Sequence, residues 1–373
     1  MKFLKIILYC LFFCFSISCS WQKEPVSFYF TKNYPGDNWE NHKTGLLWTL
    51  SYLGAKLPVG SLDKAISWKD SSTFRIDFKN VGFGEEALKY IEVICDSLKQ
   101  TSHYQSKGAA DIGAFVALTI GCSNHYYKIT SVPGKMEDLL RQHQFNNPKV
   151  FSITKSSVAN HHRVIKYSEL TIDPRQWIFI AEEGNGDVRK GDFTTEYYEV
   201  LDIMSNGQLR CMVYDKKGNL VPASPKELGE AGKPAKCLWC HEIVIQPLFE
   251  KTDSLGTGVS LVQFQKDIIA FMTYLKRYRD SLKSDLDFNK TQDHTQMELE
   301  YISYMQPSIK KLAIEWDMNE KETKELLKAV NSSEHEEFKF LGKVFHRKEV
   351  KGLRTLFPES IREPNIHEIN FFK

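Results

Sequence analysis

Five consecutive residues, Cys237-Leu238-Trp239-Cys240-His241, have the types and spacing needed to bind a metal cofactor covalently. Two thiols separated by two residues can form thioethers with the two vinyl groups on one edge of a haem, and the adjacent imidazole can then bind the iron. Ligation requires a neutral imidazole nitrogen. The motif therefore predicts one haem c, held through Cys237 and Cys240, with His241 as the proximal iron ligand.

The first 18 residues have the pattern of an export signal. Lys2 and Lys5 give a positive start, and the apolar run at residues 6–17 is shorter than the ~20 residues that span a bilayer. The haem cysteines must stay reduced until the thioethers form, and bacteria carry out this chemistry beyond the cytoplasmic membrane. The signal and the motif therefore predict the same extracytoplasmic location.

The end of this signal carries a candidate lipidation site. The stretch Ser16-Ile17-Ser18-Cys19 resembles the lipobox of bacterial lipoproteins, in which a small residue precedes a cysteine that becomes the lipidated N-terminus. It departs from that pattern at Ser16, where Leu is usual, so cleavage without a lipid and an uncleaved anchor stay open as alternatives. The resemblance implies lipidation of Cys19 and a membrane-anchored protein facing the periplasm or the cell surface.

Charge and cysteine usage exclude some classes of protein. Lys and Arg total 49 against 47 Asp and Glu, so no net field attracts nucleic acid, and membrane contact would come through the lipid. Three of the eight cysteines remain after the signal, lipid and haem positions are assigned, so the chain is no disulfide scaffold. We interpret these three as small buried hydrophobes or as one disulfide and a free thiol: Cys95, Cys122 and Cys211.

Hydrophobic periodicity predicts an α+β fold. A mixed or antiparallel β-rich region should be followed by a haem-attachment loop and an all-helical C-terminal region, because Pro and Gly residues between 222 and 234 interrupt any regular element before Cys237. Asn206-Gly207 predicts a tight hairpin turn. The predicted strands are 72–78, 115–120, 126–130, 150–154, 163–167, 177–181, 196–204 and 208–214. The predicted helices are 46–53, 84–100, 136–143, 262–282, 298–304, 309–316, 321–330 and 334–345.

These elements divide the 373 residues into consecutive regions, and the mature length suggests two domains on a prior of ~150 residues per domain. The predicted regions are a signal peptide at 1–18, a lipidated N-terminus and tether at 19–45, an α+β domain at 46–235, a haem-attachment segment and helix at 236–290, and a helical C-terminal region at 291–373.

The second axial ligand of the iron determines the type of haem protein, because a strong ligand favours electron transfer and an open position favours small molecules. Met305, followed by Gln306-Pro307, resembles the methionine near a proline that is the distal ligand in many small c-type cytochromes. Methionines on amphipathic helices more commonly fill the core. Histidines upstream of the motif are the alternatives, each also explained as a surface or hydrogen-bonded residue: His125, His161 and His162.

The pentapeptide is similar to that of the c-type cytochromes, and the match covers those five residues. Small all-helical cytochromes normally have a helix ahead of the motif, whereas here a predicted hairpin and a Pro/Gly-rich loop precede it. This order resembles the β-sheet mono-haem cytochromes that bind nitric oxide or oxidise hydroxylamine. That architectural resemblance implies a haem with a single protein ligand, although the long helical region after His241 has no counterpart there.

Three functional hypotheses follow. The favoured one is an electron-transfer lipoprotein that docks a redox partner protein; the second is haem-based binding or conversion of a small molecule such as nitric oxide or peroxide. The third is a binding module with zinc or structural haem, using the aromatic pairs Tyr126-Tyr127 and Tyr197-Tyr198, which are more simply strand residues.

Zinc or thiol redox chemistry at the motif stays a minor alternative. No second ligand pair follows the motif, and Trp239 lies between the cysteines rather than before them. The sequence nominates no catalytic base, because Arg175, Trp177 and Glu182-Glu183 are explained as strand and turn surface.

Overall fold

The computed structural model describes residues 25–350 and 368–372, except 144, 170, 230, 231 and 246. The predicted signal peptide and Cys19 lie outside the described residues. The strands are β1 Val26–Tyr29, β2 Ile66–Trp68, β3 Thr73–Ile76, β4 Ala110–Asp111, β5 Lys149–Ile153, β6 Arg163–Tyr167, β7 Ile178–Asn185, β8 Thr194–Ile203, β9 Leu209–Asp215, β10 Ser254–Gly258, β11 Ser332–Glu334 and β12 Lys343–Phe345. The helices are α1 Trp39–Tyr52, α2 Ser61–Ala65, α3 Glu85–Lys99, α4 Ser102–Lys107, α5 Ile112–Thr119, α6 Ser123–Ile129, α7 Met136–Gln142, α8 Pro234–His241, α9 Leu261–Ser281, α10 Thr295–Met305, α11 Ile309–Trp316 and α12 Glu320–Leu326.

The predicted α+β class is confirmed. A four-stranded mixed sheet has the order β2-β3-β1-β4, and a six-stranded sheet has the order β10-β5-β6-β7-β8-β9 with every pair antiparallel. The predicted hairpin joins β8 to β9 through Asn206-Gly207, where Gly207 has φ 80°. The strands β11 and β12 form a separate hairpin.

The prediction of a tether at 19–45 is wrong for its described part, because β1 and the first half of α1 lie there. Val26 and Phe28 of β1 are buried, and β1 pairs with β3 some 45 residues later in the chain. The helix α1 begins after Asn38, whose side chain accepts hydrogen bonds from two N–H groups of the first turn. A four-residue strand is too short to show a period, and its partner is distant in sequence.

The stretches 115–120 and 126–130 were predicted as strands, but they lie in the helices α5 and α6. Every residue of α5 is buried, so this helix has no polar face and its sequence lacks the 3.6-residue period. Gly113 allows close packing against α10, since a Cβ there would lie 2.5 Å from the carbonyl oxygen of Glu300. Because α5 is buried on all sides, its sequence is a short apolar run, and such a run cannot be distinguished from a buried strand by its periodicity.

The predicted helix at 334–345 is also wrong, because this stretch contains β12 and the end of β11. Gly342 has φ 68°, which ends the preceding turn and favours glycine. The amide of Phe345 then donates to the carbonyl of Pro307 at 3.0 Å, tying β12 to the turn before α11. Among its described residues, the C-terminal region therefore combines helices with a β-hairpin.

The six-stranded sheet presents one face to α8 and α9. Odd-numbered residues of β5 to β9 share this face, as the register pairs of Ile165 with Ala181 and of Leu201 with Cys211 show. Aromatic rings fix α9 against it, since Phe264 stacks on Phe151 with ring centroids 4.4 Å apart. The helix α9 and the sheet therefore form two walls of a cleft. None of the described helices is both long and apolar enough to cross a membrane.

Candidate haem-binding site

The cysteine motif lies in helix α8 rather than in the predicted loop. Pro234 takes the first turn of this helix, where its missing N–H would have had no partner, so it starts the helix instead of breaking it. Cys237 and Cys240 lie within α8, and His241 is its last residue. The next residue, Glu242, has φ 52°, a conformation that ends the helix directly after the histidine.

Cys237, Cys240 and His241 all line one cleft between α8, α9 and the odd-numbered face of the six-stranded sheet. The cleft has a volume of about 130 Å³, less than the ~300–1,000 Å³ typical of small-molecule and cofactor sites. Its other lining residues are mainly apolar and include Ile153, Ile165, Phe179, Ala181, Leu201, Ile245, Phe249, Phe264 and Ile268. The motif therefore borders an apolar cleft, which would have to widen to hold a cofactor as large as haem.

The strand register explains why these walls are apolar. Phe179 pairs with Leu201 in one row of side chains on this face, and Phe151, Ile165 and Ala181 pair across three strands in the neighbouring row. Ala181 contributes only a methyl group in the middle of this row. Alternation along each strand thus builds the wall, and the small residue leaves space above the sheet.

His241 has the protonation state that iron ligation requires. Burial lowers the pKa of its imidazole to about 4, so the ring is neutral at physiological pH. Its Nδ1 atom is buried and makes no hydrogen bond to the described residues. A neutral imidazole with an unused nitrogen at the wall of a cleft fits an axial ligand.

The two thiols of the motif are free and protonated. Neither forms a disulfide. Hydrogen bonding to Cys211, together with burial, raises the pKa of Cys237, and burial raises the pKa of Cys240 to about 11. A redox-active dithiol usually has a lowered thiol pKa, so these values favour haem attachment over thiol redox chemistry. Cys211 is a third thiol lining the cleft, and sequence reasoning did not place it there.

A group of buried charges lines one part of this apolar cleft. The guanidinium of Arg163 contacts the carboxylate of Glu183, and its Nη1 lies 3.7 Å from Oε2 of Glu199. Only 8% of the Arg163 side chain and 1% of the Glu183 side chain are exposed. Glu182-Glu183 was predicted as strand and turn surface, but both residues are buried in β7. Arg163 pairs with Glu183 in the β6–β7 register, which sequence alone does not specify.

The structure does not bring the predicted distal ligand to this cleft. Met305 ends α10 with 4% exposure, and it is not among the described residues that line the cleft. His125 is buried elsewhere, with Nδ1 2.7 Å from the carbonyl of Leu118 and Nε2 accepting from the amide of Phe371. His161 and His162 also lie outside the cleft lining.

The aromatic pair Tyr126-Tyr127 does not form an exposed binding face. Both residues are buried, and their hydroxyls accept the outward N–H groups of Cys211 and Val213 on β9. They therefore cover the edge of the six-stranded sheet, which would otherwise offer unpaired donors.

Among the described residues, no group of three or more His, Cys, Asp or Glu side chains is placed to hold a metal ion by itself. No family model, curated protein or solved structure matches the chain.

Proposed function

We propose that this chain is an exported mono-haem c-type protein that binds a small molecule at the iron. Cys237 and Cys240 would form the thioethers, and His241 would be the proximal ligand. The observation that carries the proposal is that all three residues of the motif line a single apolar cleft. Lipidation of Cys19 would anchor the protein to a membrane in the periplasm or at the cell surface.

A haem bound in this cleft would supply an iron that changes between Fe(III) and Fe(II) and coordinates small ligands. The chain's own residues would position it and control its surroundings. His241 offers a neutral ring because burial disfavours its protonation. The apolar side chains of the sheet and of α9 would exclude water from the haem faces, which strengthens electrostatic interactions inside the site.

Two observations favour a small-molecule site. Among the described residues lining the cleft, His241 is the only histidine and none is a methionine, so the second axial position has no evident side-chain ligand. Arg163 and Glu199 place hydrogen-bonding groups in an otherwise apolar space. Nitric oxide or peroxide suits such a site, because both can bind iron and interact with a charged donor.

Electron transfer is the second candidate function. Cys237 and Cys240 are only half-buried, so the edge of a haem attached through them would lie near the surface. A redox partner protein could dock at such an edge without entering the cleft.

Absorbance spectra distinguish these functions. We expect protein made with a haem maturation system to keep its Soret band through acid-acetone extraction, and the reduced protein to shift on adding carbon monoxide. Met305→Leu should give the same spectra, since this residue does not line the cleft. A low-spin spectrum indifferent to carbon monoxide would favour electron transfer, and a protein without any extraction-resistant Soret band would contradict both functions.

A further inference from the structure

A second pocket of about 560 Å³ shares none of its lining residues with the haem cleft. It lies beside the four-stranded sheet, at the end of β1, the turn before β3, the helix α4 and the start of α11. We call it the basic pocket, defined by the side chains of Lys32, Lys107 and Lys310 together with Tyr29, Ser72 and His103.

The charge of the basic pocket is strongly one-sided. Three lysines line it, and no Asp or Glu is among its described lining residues, although the whole chain has a net charge of only +2. Lys107 lies 3.4 Å from Asp317, but that carboxylate is 93% exposed and is largely screened by water. The pocket therefore concentrates positive charge that nothing on its walls neutralises.

The buried carboxylates near Tyr29 do not cancel this charge, because each has a cationic partner of its own. Asp111 lies 2.8 Å from the ammonium of Lys311, and Glu315 lies 2.9 Å from the guanidinium of Arg347. All four side chains are at most 4% exposed. The pocket lysines thus remain available to a ligand.

The neutral side chains of the pocket add hydrogen-bonding groups and an apolar wall. The hydroxyl of Tyr29 is 2.9 Å from Nε2 of His103, which fixes both rings at the pocket. Burial lowers the pKa of His103, so it is a neutral hydrogen-bonding group rather than a fourth charge. Phe30 and Ile314 provide apolar surface beside the lysines.

We propose that the basic pocket binds a phosphate monoester. Lysine ammonium groups are compact point charges that bind phosphate well, and several of them around one pocket suit a dianion. The aromatic and aliphatic wall would contact the organic part of the ester. The ester belongs either to a soluble metabolite or to a lipid headgroup, and this inference does not depend on the haem proposal.

Binding to the full chain tests this inference with two probes. Glycerol 3-phosphate is titrated by calorimetry, and phosphatidylcholine vesicles with or without phosphatidic acid are tested by co-sedimentation. Binding of the first probe identifies a soluble ester, and binding of phosphatidic acid vesicles alone identifies a lipid headgroup. Absence of binding to both probes overturns the proposal.

A matched pair of triple variants locates the site. K32Q/K107Q/K310Q should weaken binding about 100-fold, because three charge-assisted contacts are lost. K79Q/K190Q/K251Q removes the same charge from exposed lysines outside the pocket and should change binding less than about twofold, since distant exposed charges are screened. Equal losses in the two variants would show non-specific attraction and overturn the proposal.

Discussion

Replacing both Cys237 and Cys240 with alanine should give a folded chain that loses all of its haem on acid-acetone extraction. The thioethers are the covalent attachment, so their loss leaves at most a ligand bond from His241, which acid breaks. Alanine is a strong helix former and removes only a thiol, so α8 should persist. Extraction followed by absorbance of the protein fraction measures the effect, and circular dichroism checks the fold.

Three single variants control this experiment. Cys95→Ala and Cys122→Ala remove buried thiols that do not line the cleft, so both should keep extraction-resistant haem. Cys211→Ala removes the thiol beside Cys237 and should keep it as well. Attachment at Cys237 and Cys240 would be contradicted if the double variant kept its Soret band after extraction. It would also be contradicted if Cys211→Ala alone lost the band.

Lys233→Met should destabilise the protein by roughly 3–5 kcal/mol at pH 8, the usual cost of leaving a buried charge without its partner. Lys233 directly precedes α8, and its ammonium contacts the carboxylate of Glu368 with both side chains 0% exposed. Glu368 also accepts the amide of Ser123 at 2.6 Å. The pair therefore joins the start of the haem-binding helix to the C-terminal segment 368–372, and urea unfolding measures its loss.

The loss of unfolding free energy in Lys233→Met, which we call the deficit, should depend on pH. Burial raises the pKa of Glu368 above its ordinary value, while Lys233 acts in the opposite direction. A carboxyl with a raised pKa in the folded state binds its proton more tightly there than in the unfolded chain, so stability falls as pH rises from the unfolded pKa through the folded one. Removing Lys233 raises the folded pKa further. The deficit should therefore be smaller at pH 5 than at pH 8.

Two controls accompany this prediction. K233M/E368Q removes both charges and should recover much of the loss. Lys276→Met breaks an exposed pair with Asp280 and should cost at most about 1 kcal/mol. A deficit in Lys233→Met that is independent of pH, or no larger than that of Lys276→Met, would contradict the role of the buried pair.

The sequence predicted well those elements whose signals are local. Strands β5 to β9 of the six-stranded sheet were all predicted, and Asn206-Gly207 marks the tight turn between two of them, whereas the short, glycine-containing β10 was not predicted. The helix α9 was also predicted because its apolar residues share one face. In contrast, β1 is stabilised by a distant partner strand, and α5 is buried on every side, so neither has a distinctive period.

The residues of the candidate site also divide into those with a local sequence signal and those brought together by distant contacts. Cys237, Cys240 and His241 are adjacent in sequence, so their spacing alone suggested their chemistry. Arg163 and Glu183 are 20 residues apart, and they meet only through the register of β6 and β7. Met305 was predicted as a ligand from its proximity to a proline in the sequence, but it does not line the cleft.

The most direct test of the central claim is the intact mass of the mature protein made with a haem maturation system. Covalent attachment predicts the mass of the chain plus one haem, with the added mass on the peptide that contains Cys237 and Cys240. Treatment with a thiol-alkylating reagent should then leave both of these cysteines unmodified. A chain of unmodified mass whose Cys237 and Cys240 are both alkylated would contradict it.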